Sequence, residues 1–143
     1  MDALIAVLAG WIALQTGLPA TTPPPQIAFV GSQSMAERAF GPGTSPSPLL
    51  RALYTQQTRT VYLREEWDPA KIRDRSELVH ELVHHFQHVH NLPFKCAADR
   101  ERLAYDLQLA WLREQGVADP YELLQVNHFF VVMVSVCRDV DHE

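Results

Sequence analysis

Basic residues are scarce in this chain and nowhere run together. There are 12 Lys and Arg against 17 Asp and Glu, for a formal net charge of −5. The short clusters Arg73–Asp74–Arg75 and Arg100–Glu101–Arg102 are each interrupted by an acid. The extended positive face that nucleic-acid binding needs is therefore missing, and a nucleic-acid partner is excluded. Cysteine is almost absent: Cys96 and Cys137 are too few for a disulfide framework. A single bridge fits them, since both flank predicted helices; two buried thiols are the simpler reading. Long hydrophobic runs are missing too. Ala3 to Leu14 and Val126 to Val136 both fall short of the about 20 residues that a membrane span requires. The first run opens on Asp2, where an export signal would place Lys or Arg. With Trp11 and Gln15 it reads as an amphipathic helix packed on the domain. That makes the chain cytoplasmic, the alternative being export with residues 1–20 as an atypical signal. The second run reads as a buried core helix. No internal repeat or low-complexity segment is present.

What is there suits one globular domain spanning residues 1–143. An apolar fraction of 47% with only 20% charged residues is too apolar for a disordered chain. Punctuation along the sequence predicts its elements. A helix over 3–16 closes at Gly17 and Pro19, and Thr21 to Pro25 is a stiff, extended connector. Ile27 to Val30 reads as a short strand. Ser34-Met-Ala-Glu37 is a capping box that starts a short helix ending by Gly41, and the prolines and glycines of Gly41 to Pro48 dictate a loop. Leu49 to Tyr54 and Thr58 to Leu63 are β-rich runs joined at Thr55-Gln56-Gln57, a hairpin. Asp74 with Glu77 marks the start of a central helix running to about His90. A further helix covers Ala97 to Gln115 and stops at Gly116. Asp119-Pro120 opens a last helix, predicted to run to about Arg138. The fold class is α+β: a helix-rich domain with a small sheet beside the central helix.

The central helix carries His80-Glu81-Leu82-Val83-His84, an HExxH pattern. One helical turn is 3.6 residues, so His80 and His84 point the same way and reach one Zn²⁺ together. Glu81 follows the first ligand, where its carboxylate reaches the metal's open position and can take a proton from water. Five of the 7 histidines lie between His80 and His90, so chance pairs arise. His84 and His88 share the spacing, but His85 rather than Glu follows His84. The motif's place on a predicted helix, after a strand, supports the metal reading over a solvated His-rich helix.

A catalytic zinc takes three protein ligands and a water. Asp99, Glu101 and Asp106 are the next acids. Glu101 opens a stripe with Ala104, Tyr105, Gln108, Trp111 and Leu112, helical spacing for one buried face. A carboxylate on a buried face is costly unless it is paired or binds metal. Glu101 is the third-ligand candidate and Asp99 the runner-up. Asp106 lies off the stripe and reads as solvated.

HELVHHFQ, followed by Glu101-Arg102-Leu103-Ala104-Tyr105 with Gln108 and Trp111-Leu112, resembles the gluzincin pattern of HExxH and then E-x-x-A. More closely, the chain resembles a family of small, uncharacterised bacterial proteins of metallopeptidase type. Residues 53–69 (LYTQQTRTVYLREEWDP) and 11–19 (WIALQTGLP) carry that likeness, which spans about Ala3 to Gln115. The resemblance implies His80, His84 and Glu101 as zinc ligands, Glu81 as the catalytic acid/base, and a leading helix that is part of the domain. The chain departs from many gluzincins at Tyr105. An acid four residues beyond the third ligand usually holds the first histidine; a tyrosine hydroxyl is a weaker orienter.

Other residues divide between functional and structural readings. His85, His88 and His90 read as solvated, with a substrate or ligand contact the alternative for His88. Gln87 either pins the neighbouring chain or packs at the core edge. His128, Tyr105 and Tyr62 are candidates to steady an oxyanion, with a core histidine and an exposed sheet residue as the simpler readings of His128 and Tyr62. Trp67 and Trp111 read as core. The functional reading is a zinc-dependent peptidase, with a peptide or protein substrate lying along the edge of Val61–Leu63. The alternatives are a non-catalytic metal-binding module and a metal-free helical interaction protein.

Overall fold

The computed structural model describes residues 1–138. It is an α+β fold of six helices and three strands among those residues. Helix α1 (Asp2–Thr16) ends at Gly17, whose φ of 75° is the left-handed cap that glycine adopts without strain. Ile5, Leu8 and Ile12, spaced three and four apart, face the core. The Trp11 indole N–H donates to Glu114, 103 residues further along the chain. The leading helix is thus an integral part of the packed domain.

Strand β1 (Gln26–Val30), helix α2 (Ser32–Phe40) and strands β2 (Ala52–Thr55) and β3 (Thr60–Arg64) follow. The hairpin forms as the sequence predicts, with its turn at residues 56–59. Strand order is β1-β3-β2, with β1 parallel and β2 antiparallel to β3. This corrects one expectation. Val61–Leu63 lies in the central strand, paired on both sides, and offers no free edge. The free edge beside the central helix belongs to β2.

Helix α3 (Ile72–Val89) begins two residues before Asp74, because Asp74 and Glu77 serve as partners of Arg51 rather than as a cap pair. Its apolar positions Leu78, Val79, Leu82, Val83 and Phe86 are at most 2% exposed and form the middle of the core. Helix α4 (Ala97–Glu114) packs along α3. Ala104 is fully buried between them, where a side chain of this size lets two helices approach closely. The predicted last helix is two. Helix α5 (Pro120–Leu124) starts with the Asp119 carboxylate accepting from the Glu122 amide at 3.2 Å, and it ends at Gln125, φ 59°. Asn127 then caps α6 (His128–Val134) through the Phe130 amide at 2.7 Å. Nor is α6 a buried core helix: Val131 is buried, while Phe129 is 71% exposed.

Cys96 and Cys137 are joined in a disulfide, which overturns the reading of two buried thiols. The bridge ties the segment after α6 to the start of α4. No helix among the described residues is long and apolar enough to cross a membrane.

Candidate metal centre

His80 and His84 project from the same side of α3, their ring centroids 5.0 Å apart. Glu101, one turn into α4, reaches back across the helix pair. Its two oxygens lie 3.0 Å from His80 Nε2 and 3.0 Å from His84 Nε2. One ligand atom from each of the three residues falls within 4.8 Å of the others. Ligands of a tetrahedral zinc at about 2.0–2.1 Å stand about 3.3 Å apart, so small adjustments admit the ion. Asp99 instead accepts the Lys95 amide at 3.2 Å at the start of α4, and Asp106 is exposed. Neither joins the cluster, and neither does His88.

The imidazoles are held in one orientation by buried amides. Gln108 Oε1 lies 2.8 Å from His80 Nδ1, and Gln87 Oε1 2.8 Å from His84 Nδ1. Each Gln spends its NH₂ elsewhere, on Ser76 Oγ at 3.2 Å and on the Arg100 carbonyl at 3.1 Å. Their oxygens therefore accept and Nδ1 donates, so Nε2 is the nitrogen turned toward Glu101, able to donate to the carboxylate when protonated and to bind a metal when not. Two imidazole nitrogens so aimed, with one carboxylate, form a donor set that fits Zn²⁺. The sequence expectation for Tyr105 is corrected here. Gln108 orients His80, while the Tyr105 ring packs edge-on against it at 4.6 Å.

Glu81 is buried and lines the same cleft as the triad. Burial raises its carboxyl pKa, opposed by the nearby histidines and by a hydrogen bond from the Tyr54 backbone. Burial works against charging His84, yet the Glu101 hydrogen bond and the Glu81 charge outweigh it and raise its pKa to about 9. Glu101 is half-buried, which by itself would raise its pKa. The hydrogen bonds from His80 and His84 dominate and hold it well below the usual carboxylate range. Without metal, the triad is a carboxylate paired with a protonated His84.

The cleft encloses about 600 Å³ between the edge strand β2, α3 and α4. Tyr105 lines it and its hydroxyl has no partner among the described residues, whereas Tyr62 and His128 lie outside it. Tyr62 receives a hydrogen bond from Arg38 at 3.1 Å, and His128 pairs with the Tyr121 hydroxyl at 3.1 Å on the surface. His85 and His90 are not solvated. His85 is 1% exposed, with Nδ1 at 2.8 Å from the Tyr54 hydroxyl and Nε2 at 2.7 Å from the Pro23 carbonyl. His90 Nε2 meets Thr22 Oγ1 at 2.7 Å, so the two histidines fasten the proline-rich connector to α3. Sequence reasoning missed Tyr54 and the arginines of the cleft. The stripe through Gln108 was the available signal for its burial beside His80.

The model of one family, a domain of unknown function (DUF6647), matches residues 1–143. No curated protein and no solved structure matches the chain.

Proposed function

The chain belongs to the DUF6647 family, and we propose that it is a zinc-dependent peptidase in which Glu81 is the general base. The observation that carries this reading is a buried carboxylate, Glu81, in the same cleft as a three-residue donor set. Among the described residues no fourth His, Cys, Asp or Glu closes the cluster, which favours catalysis over a structural metal site.

Bound at His80, His84 and Glu101, zinc would supply Lewis acidity that makes water acidic near neutral pH. Glu81 would accept the proton of the attacking water and deliver it to the departing amine. Burial keeps Tyr105 protonated, its pKa pushed up to about 12 with help from the Glu101 and Glu81 charges. Its hydroxyl, without a partner among the described residues, is a group in the cleft that can donate to a carbonyl oxygen as negative charge develops there. The free edge of β2 offers backbone hydrogen bonds to an extended peptide, in place of the central strand expected from the sequence. The Cys96–Cys137 bridge supports action in an oxidising compartment, and so export over the cytoplasmic expectation.

X-ray absorption at the zinc edge of the purified protein tests this reading. The proposal requires two imidazole nitrogens, one carboxylate oxygen and one exchangeable oxygen. A fourth protein ligand, or a protein that takes up no zinc, would refute it.

A further inference from the structure

The chain as a whole is acidic, at −5, yet the wall of the cleft is not. Four of the 12 basic residues line it: Arg38, Arg51, Arg73 and Arg100. They face three glutamates, Glu77, Glu81 and Glu101, and no aspartate or lysine. With Asp74, the buried partner of Arg51, counted among the acids, the arginines and carboxylates of the wall balance, and a divalent cation at the triad makes it +2. In a partly enclosed cleft between low-dielectric walls, such a potential is focused rather than screened away.

The glutamates are already engaged. Glu81 and Glu101 belong to the metal centre, and Glu77 is bound by Arg51 Nε at 2.6 Å and lies 3.3 Å from Arg73 Nε. Arg38 and Arg100 make no ion pair with any described residue; Arg38 stacks on Tyr62 at 4.5 Å and donates to hydroxyls. Arg51 immediately precedes the edge strand β2. Asp74 and Glu77 fix its guanidinium through Nη2 and Nε, leaving Nη1 without a partner among the described residues. Asp74 and Glu77 are 2% and 9% exposed, so Arg51, with its side chain 32% exposed, is the part of this cluster open to the cleft.

These arginines bracket the metal centre. Arg51 sits at the level of Glu77, one turn of α3 or about 5 Å before Glu81. Arg100 adjoins Glu101, and its carbonyl receives Gln87 from the other end of the motif. An extended peptide rises about 3.4 Å per residue, so one helical turn from Glu81 to the level of Arg51 corresponds to one or two substrate residues, and the Arg100 guanidinium, 6.0 Å over the Phe94 ring, lines the same cleft next to Glu101.

Building on the peptidase reading, we infer that the cleft selects peptides bearing carboxylates within two residues of the scissile bond. The carboxylate comes from an Asp or Glu side chain or from the peptide's own C-terminus. Arg51 and Arg100 are the specificity-determining contacts, and Arg38 adds to the field.

The test uses the zinc-loaded full chain carrying Glu81→Gln, so that bound peptide is not cleaved, and reads binding by fluorescence anisotropy. The probes are one labelled nonapeptide frame with central Gln, Glu or Lys residues, each with a free or an amidated C-terminus. The Glu peptide should bind about tenfold or more tightly than its Gln twin, with the Lys peptide weakest and the advantage shrinking as salt rises. Arg100→Gln, and Arg51→Lys, which keeps a cation between Asp74 and Glu77, should each reduce the Glu-to-Gln ratio more than they weaken the Gln peptide, a change that general loss of structure would not produce. A preference that survives in Gln peptides with a free C-terminus and vanishes on amidation also supports the inference and assigns the terminal carboxylate as its source. Equal binding of Gln and Glu peptides, free and amidated, by zinc-loaded protein overturns the inference and leaves the peptidase reading intact. Failure to take up zinc, measured first with the metal alone, overturns both.

Discussion

The Glu101 carboxylate spans both motif histidines, one oxygen 3.0 Å from His80 Nε2 and the other 3.0 Å from His84 Nε2. An exposed salt bridge would rarely hold this symmetric arrangement, since the pair contributes little in water. It marks the place where three donors converge. Glu101→Gln keeps the shape and removes the negative ligand. Its zinc affinity should fall by more than the about 10–100-fold that follows loss of an outer partner. Competition with a chromophoric chelator measures it. Affinity equal to the parent's would remove Glu101 from the ligand set.

Gln108 and Gln87 touch the histidines, and in the zinc reading they act on the metal only through them. Replacing either by Ala should weaken zinc binding by about 10–100-fold. Replacement by Glu, which also accepts the Nδ1 proton, should restore most of it. Equal affinity in parent and Ala variants would show that the imidazoles need no such support.

Stability should depend on pH in opposite ways with and without metal. In the metal-free protein Glu101 and Glu81 raise the His84 pKa to about 9, from an ordinary value of about 6.5. That contribution is fully present below about pH 6.5 and is lost as pH rises through about 9. The depressed Glu101 carboxyl behaves conversely: its contribution is present above its unfolded pKa of about 4.3 and is lost as pH falls through the folded one. Zinc needs neutral imidazoles and displaces the His84 proton, so the metal's added stability should grow from pH 6 to pH 9. Thermal melting with and without chelator reads that increment. An increment independent of pH would contradict histidine ligation.

Much of this centre was legible in the sequence, because helical spacing converts directly into direction. His80, Glu81, His84 and the stripe through Glu101 are all determined by a 3.6-residue period. Residues whose roles depend on remote chain were not legible. His85 and His90 look like solvated histidines until a connector more than 60 residues earlier supplies Pro23 and Thr22 as partners. Strand Val61–Leu63 looks like an edge until β1 arrives in parallel on its other side. The break at Gln125 to Asn127 carries no Gly or Pro, and one capping asparagine was the mark of a new helix.

The Cys96–Cys137 bridge closes a loop with a sequence separation of 41 residues. Chain-entropy reasoning assigns such a crosslink about 4 kcal/mol at 25 °C. Replacing both cysteines by Ser should lower the melting temperature by about 10 °C or more. Scanning calorimetry of zinc-loaded protein measures the shift, and an unchanged melting temperature would mean that the bridge contributes nothing to the fold.

The central claim is that Glu81 performs chemistry which its neighbours only support. Its most direct test compares kcat/KM of the parent and of Glu81→Gln, both at full and verified zinc occupancy, on whichever acidic peptide the parent cleaves fastest. Loss of the general base should lower kcat/KM by at least about 100-fold while zinc affinity and melting temperature stay near the parent's. A variant that binds zinc and cleaves as fast as the parent, or a zinc-loaded parent that cleaves no peptide, would contradict the account.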